Sequence, residues 1–522
     1  MRRRTFFTGA AALSLARPAL AQKAAVLRFV PQSNLTSVDP IWTTAIVTAN
    51  HGYYVWDTLY AVDSQLRPQP QMAEGHTTED DGRTWRIRLR DGLVFHDGPP
   101  VRAVDCAASL QRWSQRDPFG QLMAKFVDRY ETPDDRTLVI RLKRPFPLLL
   151  SALSRPDANV PFMMPERIAK TDPNKAFTEV IGSGPYKFIP GDYVSGSHVA
   201  YEKFDGYVPR QEPPSWAAGG KVAYFPRIEW NIIPDPATAA AALQNGEVDW
   251  WEQPLPDLLP SLARAGIQLE VNQPAGWLSI MRLNTLQPPF DDVRIRRAVL
   301  ASVNQEEYMR ATFGDDTSLW RTCFSLYSCT MPLADETVGK RLMTGNLDEA
   351  ARMLKQAGYS GQKAVIINPS DFPAIEPLGQ VTYDRLRKMG MNVDLAESDW
   401  GTVVQRRASR EPVDKGGWSI FHTFGSAVAY SNPVVSTLVR GQGEAGWYGW
   451  WKSPEVESLV DEYVAAADEA AQKGIAERIQ SLALEGVATI PLGQFFIKTG
   501  FRKSITGVLP GISPYPWHVR PA

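Results

Sequence analysis

Six histidines, three cysteines and one glycine-rich run are the places where catalysis, metal binding or phosphate binding would have to reside in this 522-residue chain. His51, His76, His96, His198, His422 and His518 are scattered, and no two stand at a spacing that brings both imidazoles to one metal ion. Gly441-Gln442-Gly443-Glu444-Ala445-Gly446 matches G-x-G-x-x-G, but it runs into Trp447-Tyr448-Gly449-Trp450-Trp451 and opens no helix. The helix N-terminus that would hold a phosphate is therefore missing. There is no P-loop, no G-x-S-x-G elbow and no H-E-x-x-H. Carboxylates are plentiful, yet acid–base work needs a pair fixed in geometry, and spacing alone identifies none. The expectation is no catalytic residue, no metal ligand and no cofactor.

Sixteen tryptophans are better suited to packing and to gripping a solute, since a flat ring offers a large apolar face at low entropic cost. The elements that would position them are legible. Trp85, Ile87 and Leu89 alternate with Arg86, Arg88 and Arg90, which predicts a half-buried strand. Asp91-Gly92 turns the chain, Leu93-Val94-Phe95 reads as a short strand, Asp97-Gly98 turns it again, and Ala103 to Trp113 reads as a helix. Strands are also expected at Val26 to Val30, Thr137 to Leu142 and Arg227 to Ile233, with an aromatic-rich helix over Val47 to Tyr60. An alanine-rich helix runs from Pro236 to its stop at Gly246. Beyond Gly276, strand and helix alternate: Asn346-Leu347-Asp348-Glu349 reads as a capping box before a helix over Ala350 to Gln356, Ala364 to Asn368 is a strand, Ile375 to Met389 a helix, and Met391 to Leu395 a strand. That alternation argues for a parallel or mixed sheet covered by helices. The proline-rich patches Pro209 to Pro214 and Pro254 to Pro260 read as surface loops.

The N-terminus carries an export address. Arg3-Arg4-Thr5-Phe6-Phe7 fits a twin-arginine signal, Gly9 to Ala16 is a short apolar run, and Pro18-Ala19-Leu20-Ala21 predicts cleavage before Gln22. The run falls short of the roughly 20 residues that span a bilayer. With no cysteine at the cleavage point, a lipid tether is not expected, and the mature chain should be soluble in the periplasm. Removing residues 1–21 takes away four arginines and moves the formal charge from −1 to −5, which gives no reason to expect a nucleic acid or an anionic membrane as partner. About 500 mature residues exceed what one core serves, so two or more lobes are expected. Cys323 and Cys329 enclose a short loop; a disulfide suits an oxidising compartment, and two free thiols are the alternative. Cys106 is expected as a buried thiol.

The segment from Met72 to Trp113, strand-DG-strand-DG-helix, resembles a signature of the family 5 extracellular solute-binding proteins, the peptide/opine/nickel-type receptors of bacterial ABC importers. Ile181-Gly182-Ser183-Gly184-Pro185-Tyr186 resembles the family's G-[ST]-G-P-Y block, and Leu243 to Asp249 its helix followed by G-E-[VI]-D. Asp291 to Asn304 is similar to the helix after the first interlobe crossing, and Ser453 to Leu492 to the last helical region and return strand. The blocks occur in the family's order across nearly the whole mature chain.

The resemblance implies an α/β, two-lobed periplasmic-binding-protein fold of the cluster C type with a hinged cleft. Its divisions would be a signal at 1–21, lobe I at 22–275 with an extra subdomain at about 55–180, lobe II at 276–491, and a return to lobe I at 492–522. It implies a monomer that captures a small solute, peptide or peptide-like first, and delivers it to an ABC permease and ATPase. An opine, an oligosaccharide or a nickel chelate is the alternative cargo; a periplasmic hydrolase or a sensory or interaction protein is the alternative of another class. Cleft residues expected from the resemblance are Gln32, Ser33 and Asn34 from the first lobe and Trp277 at the crossing. Trp400, His422, Phe424, Ser426 and Trp447 are expected from the second lobe. One departure stands out. Peptide-binding members present an aspartate in a G-D-x-x-D-P context to pair with the ligand's ammonium, whereas here the matching stretch is Phe424-Gly425-Ser426-Ala427-Val428-Ala429-Tyr430-Ser431-Asn432-Pro433. No Asp or Glu lies between Trp418 and Gly443, so an ammonium there needs a carboxylate from elsewhere.

Overall fold

The computed structural model describes residues 26–466, 468–487 and 489–522; the expected signal at 1–21 lies outside them. Two mixed sheets organise the chain. In the first, Val26–Val30 lies parallel between Arg227–Asn231 and Trp250–Trp251. His198–Lys203 and Tyr186–Phe188 extend one side, and Lys498–Phe501 and Gln268–Val271 the other. In the second, Trp277–Leu283 pairs antiparallel with both Ile420–Ser426 and Thr489–Phe495, while Ala364–Pro369 runs parallel to Ile420–Ser426 and Val393–Ser398.

These sheets are the cores of two lobes, and the chain passes between them twice. It leaves the first sheet after Val271 and enters the second at Trp277; it leaves the second after Phe495 and re-enters the first at Lys498. The return strand thus stays in the second sheet beyond Pro491, and the second crossing is the short Phe496-Ile497 link. The crossings run side by side. Asn272 N donates to Ile497 O at 3.2 Å, and Gln494 Nε2 donates to Ala275 O at 2.7 Å.

The extra unit of the first lobe is a four-stranded antiparallel sheet in the order Ala73–Glu79, Thr84–Leu89, Thr137–Leu142, Val127–Asp134. Ile87 and Leu89 are buried as the alternation requires, and the helix Ala103–Trp113 packs over the sheet. Leu93 to Phe95 makes only an isolated bridge, Val94 to Pro100, because two turns leave no partner strand within reach. The aromatic helix is shorter than its composition suggests, Ile46–Val55, and Tyr60 already belongs to a small hairpin with Pro68–Pro70. Its end is fixed by the Gly-Ser-Gly-Pro-Tyr block: Gly184 N donates to Val55 O at 2.8 Å, and a Cβ on Gly182 would sit 1.9 Å from that oxygen. Only glycine permits this approach. Cys323 and Cys329 are joined by a disulfide, and Cys106 is a buried free thiol.

Candidate functional site

The lobes face each other across a row of three cavities. The largest, about 300 Å³, is lined from the first lobe by Pro31, Gln32, Ser33 and Asn34, and from the second by Phe313, Asp371 and Phe372. Phe496 and Ile497 of the second crossing, and Lys498 beyond it, also line it. A small cavity of about 20 Å³ between Gln32, Ser33, Phe372, Trp400 and Phe424 follows. The third, about 40 Å³, lies between Thr44, Asp157, Arg407, Thr423, Phe424, Tyr430 and Trp447. Neighbouring cavities share wall residues, so the row is one cleft.

On the lobe I side, the loop that follows Val26–Val30 is pinned by polar groups. Asn159 Nδ2 reaches the carbonyls of Pro40, Ile41 and Thr43 at 3.0–3.1 Å. Buried Asp39 accepts from Ile41 N at 2.9 Å and pairs with buried Arg112 at 2.7 Å. Gln32 is held from behind: its N–H donates to Glu252 Oε2 at 2.8 Å, and Asn50 Nδ2 donates to Glu252 Oε1 at 3.0 Å. Arg155, Asp157 and Asn159 come from one strap. Arg155 pairs with Asp117 at 2.9 Å, and Asp157 and Asn159 take left-handed backbone, φ 75° and 52°. For an Asp or Asn that conformation is allowed but uncommon, and it aims the Asp157 carboxylate across the interface.

Lobe II answers with a cation. The helix Trp400–Arg406 is capped by Asp399, and Arg407 follows it into the interface. The Arg407 guanidinium is buried among the rings of Trp400, Phe421 and Tyr448, 5.0–5.8 Å from each centroid. Its Nη2 makes two long bonds of 3.3 Å, to the Thr43 and Thr44 hydroxyls of lobe I, and its Nε has no partner among the described residues. Burial holds its pKa below the usual arginine value. Arg282, fully buried beneath Trp447, is pushed down to about 9 by the same desolvation. Ser426 of the second lobe donates its hydroxyl to Asp157 Oδ2. Further bonds close the rim, such as Gln121 Nε2 to Ala445 O at 3.1 Å and Lys125 to Asp461 at 3.1 Å.

The expected site residues are distributed as follows. Gln32, Ser33, Asn34, Trp400, Phe424 and Trp447 line the cleft. Trp277 is buried in the second sheet, its ring edge-on to Phe424 at 5.7 Å, so it supports the wall from behind. His422 lies outside the cleft lining: it bonds Thr382 Oγ1 at 2.8 Å, and burial lowers its pKa to about 3. Ser426 is buried at the lobe contact. Arg407, Asp157, Thr44, Thr423 and Phe372 line the cleft without having been foreseen, as do Pro254 to Pro256, which the proline content assigned to a surface loop. Among the described residues no three His, Cys, Asp or Glu side chains gather as a metal site would require, and no helix is long and apolar enough to cross a membrane.

Glu252 makes one wall of the cleft sensitive to pH. Burial pushes its carboxyl up from 4.5 to about 7. The folded state therefore binds more protons than the unfolded state between those values, and stability falls as pH rises through that window. Buried His51 and His422 and half-buried His96, pulled below their ordinary range by desolvation, act in the opposite direction at lower pH. The informative quantity is thus a difference. Glu252→Gln should gain stability relative to wild type as pH rises from 5 to 8, by up to about 3 kcal/mol, in urea denaturation. A rotated Asn50 amide can meet the new side-chain amide while Ser513 Oγ, now 2.8 Å from Asn50 Oδ1, still bonds it.

Two hinged lobes around a closed, solute-sized cleft define a binding-protein architecture. Residues 67–442 match the family model described as "Bacterial extracellular solute-binding proteins, family 5 Middle", and the chain belongs to that family. A probable peptide ABC transporter periplasmic-binding protein, y4tO of Sinorhizobium fredii, is 38% identical over 94% of this chain and 92% of its own length. Among solved structures, AgaA of A. tumefaciens R10 in complex with agropinic acid superposes with a TM-score of 0.79 at 19% identity, over 95% of this chain and 99% of its own. AppA of Bacillus subtilis in complex with a nonapeptide gives 0.79 at 16% identity, over 95% and 99%.

Proposed function

We propose that the chain, exported through its twin-arginine signal and released as residues 22–522, is a soluble monomeric periplasmic receptor. It captures a peptide or peptide-like solute between its lobes and delivers it to an ABC permease and ATPase without transforming it. The observation that carries this is the cleft itself: walls from both lobes, residues of the second crossing in its lining, and aromatic and hydroxyl groups converging on it. Gln32, Ser33, Asn34, Trp400, Phe424 and Trp447 would contact the solute, with Trp277 and Ser426 acting through their neighbours. The name of the Sinorhizobium fredii relative supports peptide cargo. A principal cavity of about 300 Å³ is at the low end of the roughly 300–1,000 Å³ typical of small-solute sites, which favours a short solute over a long peptide. An opine is the second cargo to test, because the aspartate expected after Gly425 is a serine.

The test is a thermal shift of residues 22–522 against di- to pentapeptides, opines, oligosaccharides and nickel chelates. A true ligand at 100 times its Kd stabilises the folded state by about 2.7 kcal/mol. Silence from every class, or turnover of any of them, would overturn the reading.

A further inference from the structure

We propose that the solute is a compact zwitterion gripped at both poles, its ammonium on Asp157 of lobe I and its carboxylate on Arg407 of lobe II. This rests on the interlobe cleft being the solute site. Asp157 and Arg407 line the same cavity, together with Thr423, Phe424 and Tyr430.

The anionic pole follows from Arg407. Its guanidinium is 1% exposed, and among the described residues no carboxylate lies within ion-pair distance. Aromatic faces and two long hydroxyl contacts are weak compensation for a desolvated full charge. A ligand carboxylate would meet the free Nε edge with the bidentate geometry that guanidinium groups favour. Arg155, on the same cavity, also has one nitrogen, Nη1, without a partner among the described residues, but its charge is already met by Asp117 at 2.9 Å, and the Val435 carbonyl accepts from it at 3.2 Å.

The cationic pole follows from Asp157. Related peptide receptors place an aspartate after the glycine in G-D-x-x-D-P; here that position is Ser426, and the carboxylate of Asp157 sits on the Ser426 hydroxyl. The acid that lobe II lacks is therefore supplied at the same place by lobe I. Oδ1 accepts Ala158 N at 2.7 Å and Oδ2 the Ser426 hydroxyl, which leaves each oxygen a further acceptor site. No Lys, Arg or His among the described residues forms an ion pair with it. An anchor on this side has a consequence: the solute's two charged groups are held by different lobes, so it completes closure only when both are charged. The cavity beside the two poles is small, and the row of cavities leads away past Phe372, so both poles belong to one end of the solute or to a dipeptide. Short peptides and N-substituted amino acids share this chemistry.

The experiment is isothermal titration of residues 22–522 with pooled L-dipeptides and N-carboxyalkyl amino acids, each beside its N-acetylated and C-amidated form, and with maltooligosaccharides and nickel–EDTA. Only members with both poles free should bind. Asp157→Asn should weaken them about 100- to 1000-fold, and the double variant D157N/S426D, which returns the acid from the other lobe, should recover most of that loss. Arg407→Met should remove the discrimination against amidation. Circular dichroism and urea midpoints would establish that each variant folds, and the rescue separates a local charge effect from misfolding. Equal binding of acetylated and free forms, or an Asp157→Asn variant that binds as wild type, would overturn the proposal. Binding confined to oligosaccharide or nickel–EDTA would overturn it while leaving the receptor reading intact, and silence from all classes would count against both.

Discussion

The Gly401→Leu variant is expected to fold normally and to lose solute affinity by about 100-fold or more, because its lobes can no longer close. Gly401 lies in the first turn of the helix Trp400–Arg406, on lobe II, and faces Thr36 of lobe I. A Cβ at that position would stand 2.2 Å from Thr36 Cγ2 and 2.9 Å from Thr36 Cβ. Thr36 is short and branched at Cβ, so it cannot swing away as a lysine would. Within either lobe the position is tolerant, since glycine is a poor helix former and leucine a good one, a gain of up to about 1 kcal/mol. The severe conflict, with Thr36, exists only in the closed form; within lobe II the new Cβ would meet Asp399 Oδ1 at 3.0 Å, which a shift of a few tenths of an ångström in the capping carboxylate relieves. If closure is required for binding, apparent Kd rises by the reciprocal of the closed fraction, and a closed population cut to 1% gives the 100-fold loss. Small-angle scattering should show a larger radius of gyration for the variant than for wild type with solute. Tight binding by a variant that stays compact would show that the lobes tolerate the wedge. Gly401→Ala should lie between the two.

How much of this was legible beforehand depends on whether a feature is local. The strand Thr84–Leu89, the helix Ala103–Trp113, the Asn346 cap and the stop at Gly246 are written in short-range alternation, capping and turn chemistry, and they stand where expected. The loop Gln32-Ser33-Asn34 reached the cleft because it follows the first central strand of a parallel set, whose carboxyl end is where such folds bind ligands. Arg407 was not legible. It follows Arg406 at the end of a helix, and a tandem pair reads as a solvated tail; the structure sends Arg406 to the Gly416 and Gly417 carbonyls and Arg407 inward. One residue of helix rotation, about 100°, makes that difference. Asp157 in Arg-Pro-Asp-Ala-Asn reads as turn chemistry, which it also is, and its partner Ser426 is 269 residues distant. His422 failed in the opposite way. Period two along Ile420–Ser426 puts His422 on the same face as Phe424, but both faces of this central strand are covered, so alternation cannot say which one meets the cleft.

The second large effect concerns what holds the cleft loop in place. Asp39 and Arg112 form a bidentate pair, 3.0 and 2.7 Å, with both side chains at most 1% exposed. The two partners differ in how well they survive alone. Without Arg112, Asp39 would keep three backbone donors, Ile41 N, Trp42 N and Phe177 N at 2.9, 3.2 and 3.2 Å. Without Asp39, Arg112 would keep carbonyl contacts to Thr171 and Lys175 at 3.2 and 3.3 Å and the Phe177 ring at 5.0 Å, but no negative charge. Asp39→Ala should therefore cost about 3–5 kcal/mol, the range for stranding a buried charge. Arg112→Met should cost less, nearer the 1–3 kcal/mol of a lost hydrogen-bond partner. Adding Arg112→Met to Asp39→Ala should then restore stability, because the stranded guanidinium is removed; a double variant no more stable than Asp39→Ala alone would mean that the backbone donors, not the charge, dominate. Urea denaturation of the three variants reads this coupling directly. The same pair fixes the loop that carries Gln32, Ser33, Asn34 and Thr44 to the cleft. Asp39→Ala protein that remains folded should bind more weakly than wild type, whereas Arg112→Met, which leaves the Asp39 turn intact, should bind nearly as well.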